Sequence, residues 1–151
     1  IMNKYFITKV SYVKTMDNGL QKKATEPYLV EAMSYTEAEA RIIEEMMPYI
    51  LGDFNVSDIK RSHYAEIFTN NIDNLFYKVN LAFITLDEKT GNEKRQKSKM
   101  LVMADNLPDA LSNLQKAMKG TLADYVITGI EETPIIDLFP FDNQSEDNGN
   151  E

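Results

Sequence analysis

The sequence contains no cysteine, no tryptophan and a single histidine, His63. Without thiols there is no disulfide, no cysteine nucleophile, no thiolate zinc site and no iron–sulfur cluster, and a lone imidazole removes most histidine metal sites. Glycine and proline are scarce, 6 and 5 in 151 residues, which excludes collagen-like and Gly/Pro-rich low-complexity chains. No stretch approaches the run of about 18 apolar residues that a membrane helix needs. The signatures G-x-G-x-x-G, Walker loop and nucleophile elbow do not occur. Basic charge is in deficit, 16 residues against 24 acids for a net charge of -8, which favours solubility and opposes indiscriminate binding to DNA or anionic membranes.

What remains, 43% hydrophobic and 26% charged residues, is the composition of an ordinary globular protein of one domain or two very small ones. A chain of this size buries enough surface to form a core unaided. Ile1 to Phe6 hold no apolar run of signal-peptide length, and Ile1 before Met2 is given no structural role. The expectation is a cytoplasmic, non-membrane, non-catalytic protein without cofactor or metal.

The chain repeats itself. Lys9-Val10 returns as Lys78-Val79, Leu29-Val30-Glu31-Ala32 as Leu101-Val102-Met103-Ala104, and Glu66-Ile67-Phe68 as Asp137-Leu138-Phe139. Between these anchors Ala38, Ile42 and Met46 correspond to Ala110, Leu114 and Met118, spaced by four as one helix face requires. Each copy reads as β-β-α-β. Tyr5–Lys14 alternates, Asp17-Asn18-Gly19 signals a hairpin turn, and Thr25–Met33 is the return strand. Ser34 and Glu37 form a capping box for a helix of about 12 residues, which Pro48 and Gly52 close before a strand at Phe54–Ile59. The second copy runs Phe76–Ile84, a turn at Asp87–Gly91, Lys97–Ala104, a helix over Pro108–Lys119 and a strand at Tyr125–Ile130. Asn106 and Asp109 replace Ser34 and Glu37.

The expected fold is therefore α+β: two tandem degenerate β-β-α-β units, 3–68 and 76–139, packed as a pseudo-twofold pair with mainly antiparallel sheet. A right-handed crossover through each helix gives the strand order 2-1-3, and Pro27 places strand two at a sheet edge. The apolar run Leu101-Val102-Met103 needs cover on both strand faces, so an extended interface and a homodimer are expected. Asp142–Glu151, with four acids and no base, reads as a disordered acidic tail.

Eleven of the 16 basic residues lie on the two hairpins. Arg95, Lys97 and Lys99 share strand parity, so their side chains line up on one face as a row of phosphate ligands would. With Lys22, Lys23, Lys78 and Lys94 they are the candidate binding residues, although lysines on exposed strands also deter edge-to-edge aggregation. The aromatics concentrate on strands, where stacking platforms and ordinary core residues both belong. Tyr5, Tyr12, Tyr28 and Tyr77 are the tyrosines whose hydroxyls reach towards a surface site, and Tyr12 and Tyr77 join the binding set. His63 lacks a serine–acid partner and reads as a surface or interface residue. Glu37, Glu39, Glu44 and Glu45 lack cation-site spacing and suit a solvated helix face.

Three stretches, Thr25–Met46 (TEPYLVEAMSYTEAEARIIEEM), Phe83–Glu88 (FITLDE) and Glu132–Phe141 (ETPIIDLFPF), resemble an uncharacterised domain-of-unknown-function family. That family is encoded by gut bacteria of the Bacteroides type and by their phages and mobile elements. The resemblance implies a phage or mobile-element accessory protein, in the host cytoplasm, and carries no catalytic residues with it. Three functions fit: binding of single-stranded nucleic acid, sequestration of a host nucleotide signal, or a structural, protein-interaction subunit. A nucleotide or nucleic-acid binder using the basic hairpins is the leading expectation.

Overall fold

The computed structural model describes residues 4–141; the acidic segment 142–151 lies outside them. In chain order the elements are β1 (Lys4–Thr15), β2 (Gln21–Ala32), α1 (Tyr35–Met46), β3 (Phe54–Arg61), β4 (Glu66–Phe68), β5 (Leu75–Leu86), β6 (Glu93–Ala104), α2 (Leu107–Ala117), β7 (Asp124–Glu132) and β8 (Asp137–Phe139). The architecture is mixed α+β, with two helices and two four-stranded, mostly antiparallel sheets.

Both hairpins extend further into polar sequence than alternation alone indicates, β2 beginning at Gln21 and β6 at Glu93. Here backbone pairing propagates from the turn, where Gly19 and Gly91 take positive φ, without any apolar face to mark it. The helix starts follow from their caps. Ser34 Oγ accepts from Glu37 N–H at 3.1 Å and Asn106 Oδ1 from Asp109 N–H at 2.9 Å, each satisfying an otherwise orphaned donor of the first turn.

The chain divides into two compact units, one comprising the residues up to Ser62 and those from Ile135 on, the other His63–Pro134. In the first, the strand order is β3-β1-β2-β8, and Phe6, Val10, Tyr28 and Val30 pack with Ala38, Ile42 and Met46 of α1. In the second, the order is β4-β6-β5-β7, and Tyr77, Val79, Leu81, Met100 and Val102 pack with Ala110 and Leu114 of α2. Leu29, Phe76 and Leu101 are also buried, at strand positions of opposite parity to these helix-facing residues.

Two expectations change. Strand two is not the edge of either sheet: β8 runs parallel beside β2, pairing Tyr28–Val30 with Asp137–Phe139, and β4 pairs likewise with Met100–Val102 of β6. Pro27 has no N–H, yet its carbonyl still accepts from Ile136 N–H at 2.9 Å, so proline stands where β8 joins without breaking the ladder. The chain also divides differently from 3–68 and 76–139. β4, which follows the first hairpin and helix, hydrogen-bonds to β6, and β8, which follows the second, to β2, because a three-residue strand is held by whichever open edge it reaches and not by its sequence neighbours.

Candidate functional site

β6 is a strand in two halves. Its second half, Met100–Ala104, is apolar and lies between β5 and β4; its first half, Glu93–Lys99, pairs with β5 alone and is largely exposed. Arg95, Lys97 and Lys99 occupy alternate positions opposite Ile84, Ala82 and Asn80, on the face of the sheet away from α2. Lys94, opposite Thr85, has the other parity.

A cleft of about 280 Å³ gathers Lys97, Ser98 and Lys99 of β6, Asn80 of β5 and His63. Each reaches it for a local reason. Asn80 sits at a β-bulge, where β5 pairs Asn80 with Gly129 but Leu81 with Ile127, and Thr128 Oγ1 caps the freed Asn80 carbonyl at 3.2 Å. Gly129 opposite leaves room above the strand: an added Cβ would stand 3.7 Å from Asn80 Nδ2. His63 follows β3 and adopts φ 59°, the left-handed region that histidine visits more readily than most non-glycine residues. Two residues on, Ala65 N–H donates to Lys99 O at 2.8 Å and ties this segment to β6. Lys99 Nζ lies 4.8 Å from the ring centroid of Tyr64, a cation–π contact that positions the ammonium. Burial, followed by the charge of Glu131, raises the Tyr64 hydroxyl above the usual tyrosine value, so it stays protonated.

The five lining residues therefore include two lysines, a histidine and an asparagine and no acid, while the Ser98 side chain, of opposite parity to Lys97 and Lys99, belongs to the α2 side of the sheet. Such a set accepts an anion with several oxygens. Among the described residues no group of three or more His, Asp or Glu side chains is arranged to hold a metal.

The other residues singled out from the sequence are placed elsewhere. Lys78 forms an ion pair with Glu131 at 2.5 Å, which neutralises it. Tyr77 is buried on the α2 side of its sheet, with its hydroxyl donating to Glu132 Oε1 at 3.4 Å. Tyr12 and Lys23 line a separate cleft of about 240 Å³ with Asp53 and Asn55. The Tyr12 hydroxyl is raised by burial and by Glu26, the carboxylate that also accepts from Tyr28 at 3.2 Å. Lys22 is exposed and faces Lys14 across the hairpin. The Tyr5 hydroxyl is raised first by burial and then by Glu31. Sequence reasoning thus finds Lys97 and Lys99, treats His63 only as a surface residue, and misses Asn80 and Tyr64. No local signal marks Asn80 or Tyr64, since a bulge and the return of the chain past β6 bring them to the lysines.

A family model described as a domain of unknown function, DUF4494, matches residues 4–141. No curated protein matches the chain.

Proposed function

The chain belongs to the DUF4494 family, a domain of unknown function, and on that footing we propose that it is a non-catalytic binder of a phosphate-bearing ligand, a nucleotide or single-stranded nucleic acid. The observation that carries this reading is the convergence of Lys97, Lys99, His63 and Asn80 in one cleft without a carboxylate. Arg95 extends the cationic row along the strand at about 6.6 Å per alternate residue, a line that an extended polyanion can follow. Tyr64, beside Lys99, supplies the aromatic surface on which a base can stack. The open cleft of about 280 Å³ also has room for the phosphate end of a single nucleotide, which makes sequestration of a nucleotide signal the second reading.

The test is titration of fluorescent single-stranded DNA and RNA at two ionic strengths, with the native chain and with Arg95, Lys97 and Lys99 all replaced by Gln. The native chain binds at low salt, and the triple variant binds more weakly with a slope in log salt flattened by up to about three charges. No binding by the native chain, or an unchanged slope in the variant, removes the nucleic-acid reading. Nucleotides retained by the native chain in native mass spectrometry, and lost in the variant, select the second.

We further propose that the two units descend from a duplicated β-β-α-β ancestor and that the protein serves phages or mobile elements of Bacteroides-type hosts as a homodimeric accessory. Matching strand orders, matching helix caps and matching bulges at Lys9/Val10 and Asn80/Leu81 support the duplication, and this register aligns Lys9-Val10 with Asn80-Leu81 in place of the Lys78-Val79 that the sequence anchors indicated. The resemblance of Thr25–Met46 and Glu132–Phe141 supports the setting. Light scattering that reports a monomer removes the homodimer.

A further inference from the structure

The same corner is built differently in the two units. In the first, Arg41, the seventh residue of α1, donates through Nη1 to Glu31 O and through Nη2 to Pro140 O at 2.9 Å. The Phe141 ring lies 5.2 Å from the guanidinium, and Phe141 N–H donates to Glu31 Oε1 at 2.8 Å. Guanidinium and ring together fill the space between the helix and the end of β8, and the cleft of about 330 Å³ that remains on this helix face lies further out, against Glu44, Glu45, Pro48 and Tyr49. In the second unit the seventh helical residue is Asn113, and the residue two beyond the short strand β4 is Asn70. Asn113 Nδ2 donates to Met103 O at 3.0 Å, the carbonyl equivalent in register to that of Glu31. Neither amide reaches far enough to fill the corner, and a cavity of about 390 Å³ remains.

Ile67, Phe68 and Val102 make its apolar side, Thr69, Asn70 and Asn113 its polar side, and the exposed Lys116 and Ala117 stand at its rim. The charge at the rim is inverted between units. Lys116 and Ala117 occupy the helical positions held by Glu44 and Glu45 in α1. We propose that this cavity is a second binding site, distinct from the β6 cleft, for a small aromatic anion. The ring takes the place that Phe141 fills in the first unit, its carboxylate pairs with Lys116, and Asn113 Oδ1 accepts a hydrogen bond at the ring edge. The volume lies within the range of small-molecule pockets, and an apolar side with a few polar groups is their usual lining. Asn70 takes no part in recognition: its Oδ1 accepts from Ile72 and Asp73 N–H and its Nδ2 donates to Asp73, so it holds the loop.

The probe is indole-3-acetate, with uncharged indole-3-acetamide as control, titrated into the full-length isotope-labelled chain and followed by amide and side-chain NH₂ resonances. The acid shifts the Asn113 side-chain and Ala117 backbone signals and binds at least about tenfold more tightly than the amide. Asn113→Arg rebuilds the plug of the first unit and abolishes the shift of the Ala117 backbone signal. Lys116→Gln folds as the native chain does, because the lysine is exposed, and removes the preference for the acid. Absence of shifts at Asn113 and Ala117 overturns the proposal. So does equal binding of acid and amide, or an acid that perturbs only His63, Asn80 and Lys99, which would assign the anion to the β6 cleft.

Discussion

Tyr28 has its hydroxyl value pushed upward first by burial and then by Glu26, which both repels the phenolate and accepts from the phenol. The folded value lies above the unfolded one near 10, so the folded state keeps a proton that the unfolded chain releases. Its contribution to stability is therefore complete below pH about 10 and is lost as pH rises towards the folded value. Tyr28→Phe removes that titration, and urea unfolding measured between pH about 8 and about 11 should show a shallower decline in the variant than in the native chain. Lys14 and Lys22 illustrate the reverse case of charge without a partner. They stand directly opposite in β1 and β2, a repulsive cross-strand pair. Lys22→Glu should raise stability by about 0.2 to 1 kcal/mol in a denaturant titration, and less at high salt. At this scale residue type is legible in sequence but pairing is not. The ion pair of Lys78 with Glu131 joins residues distant in the chain, and nothing in either neighbourhood announces it.

The two helices behave as their spacing requires. Ala110 and Leu114 are fully buried and Met118 nearly so, and the four-residue period alone identifies them. Leu114→Ala should cost about 2 to 5 kcal/mol, since the pocket it leaves cannot close fully; a loss below about 1 kcal/mol in equilibrium unfolding would mean that the face was misread. The caps are smaller devices. Asn106→Ala should cost about 1 kcal/mol, because Asp109 N–H then loses its acceptor, and helical content near α2 followed by amide exchange would report it. The strands were less legible. Their apolar halves are marked by alternation, whereas Gln21–Ala24 and Glu93–Gln96 pair with β1 and β5 but carry mostly polar side chains that mimic a loop. The candidate cleft begins directly beyond, at Lys97.

At the scale of the whole molecule, the last strand belongs to the first unit. Phe139 stacks on Tyr28 with ring centroids 5.8 Å apart and packs against the α1 core, so β8 closes a sheet whose other strands all end by Arg61. Phe139→Ala should cost about 2 kcal/mol, less than a fully buried phenylalanine because the ring is half exposed. Hydrogen exchange should quicken first at Tyr28–Val30, before any change in β5–β7; the opposite order would show that the strand matters to the wrong sheet. The helix faces, the caps and the apolar strand halves were all determined by sequence, because each depends on residues within one or two turns or on a period that can be counted. The partner of each three-residue strand was decided only by tertiary structure, since Glu66-Ile67-Phe68 and Asp137-Leu138-Phe139 are nearly interchangeable as sequences and differ in the open edge each one meets. The same holds for the cleft. Lys97 and Lys99 could be read from strand parity, but Asn80 and His63 join them through a bulge and a chain return, where geometry leaves no period in the sequence to read.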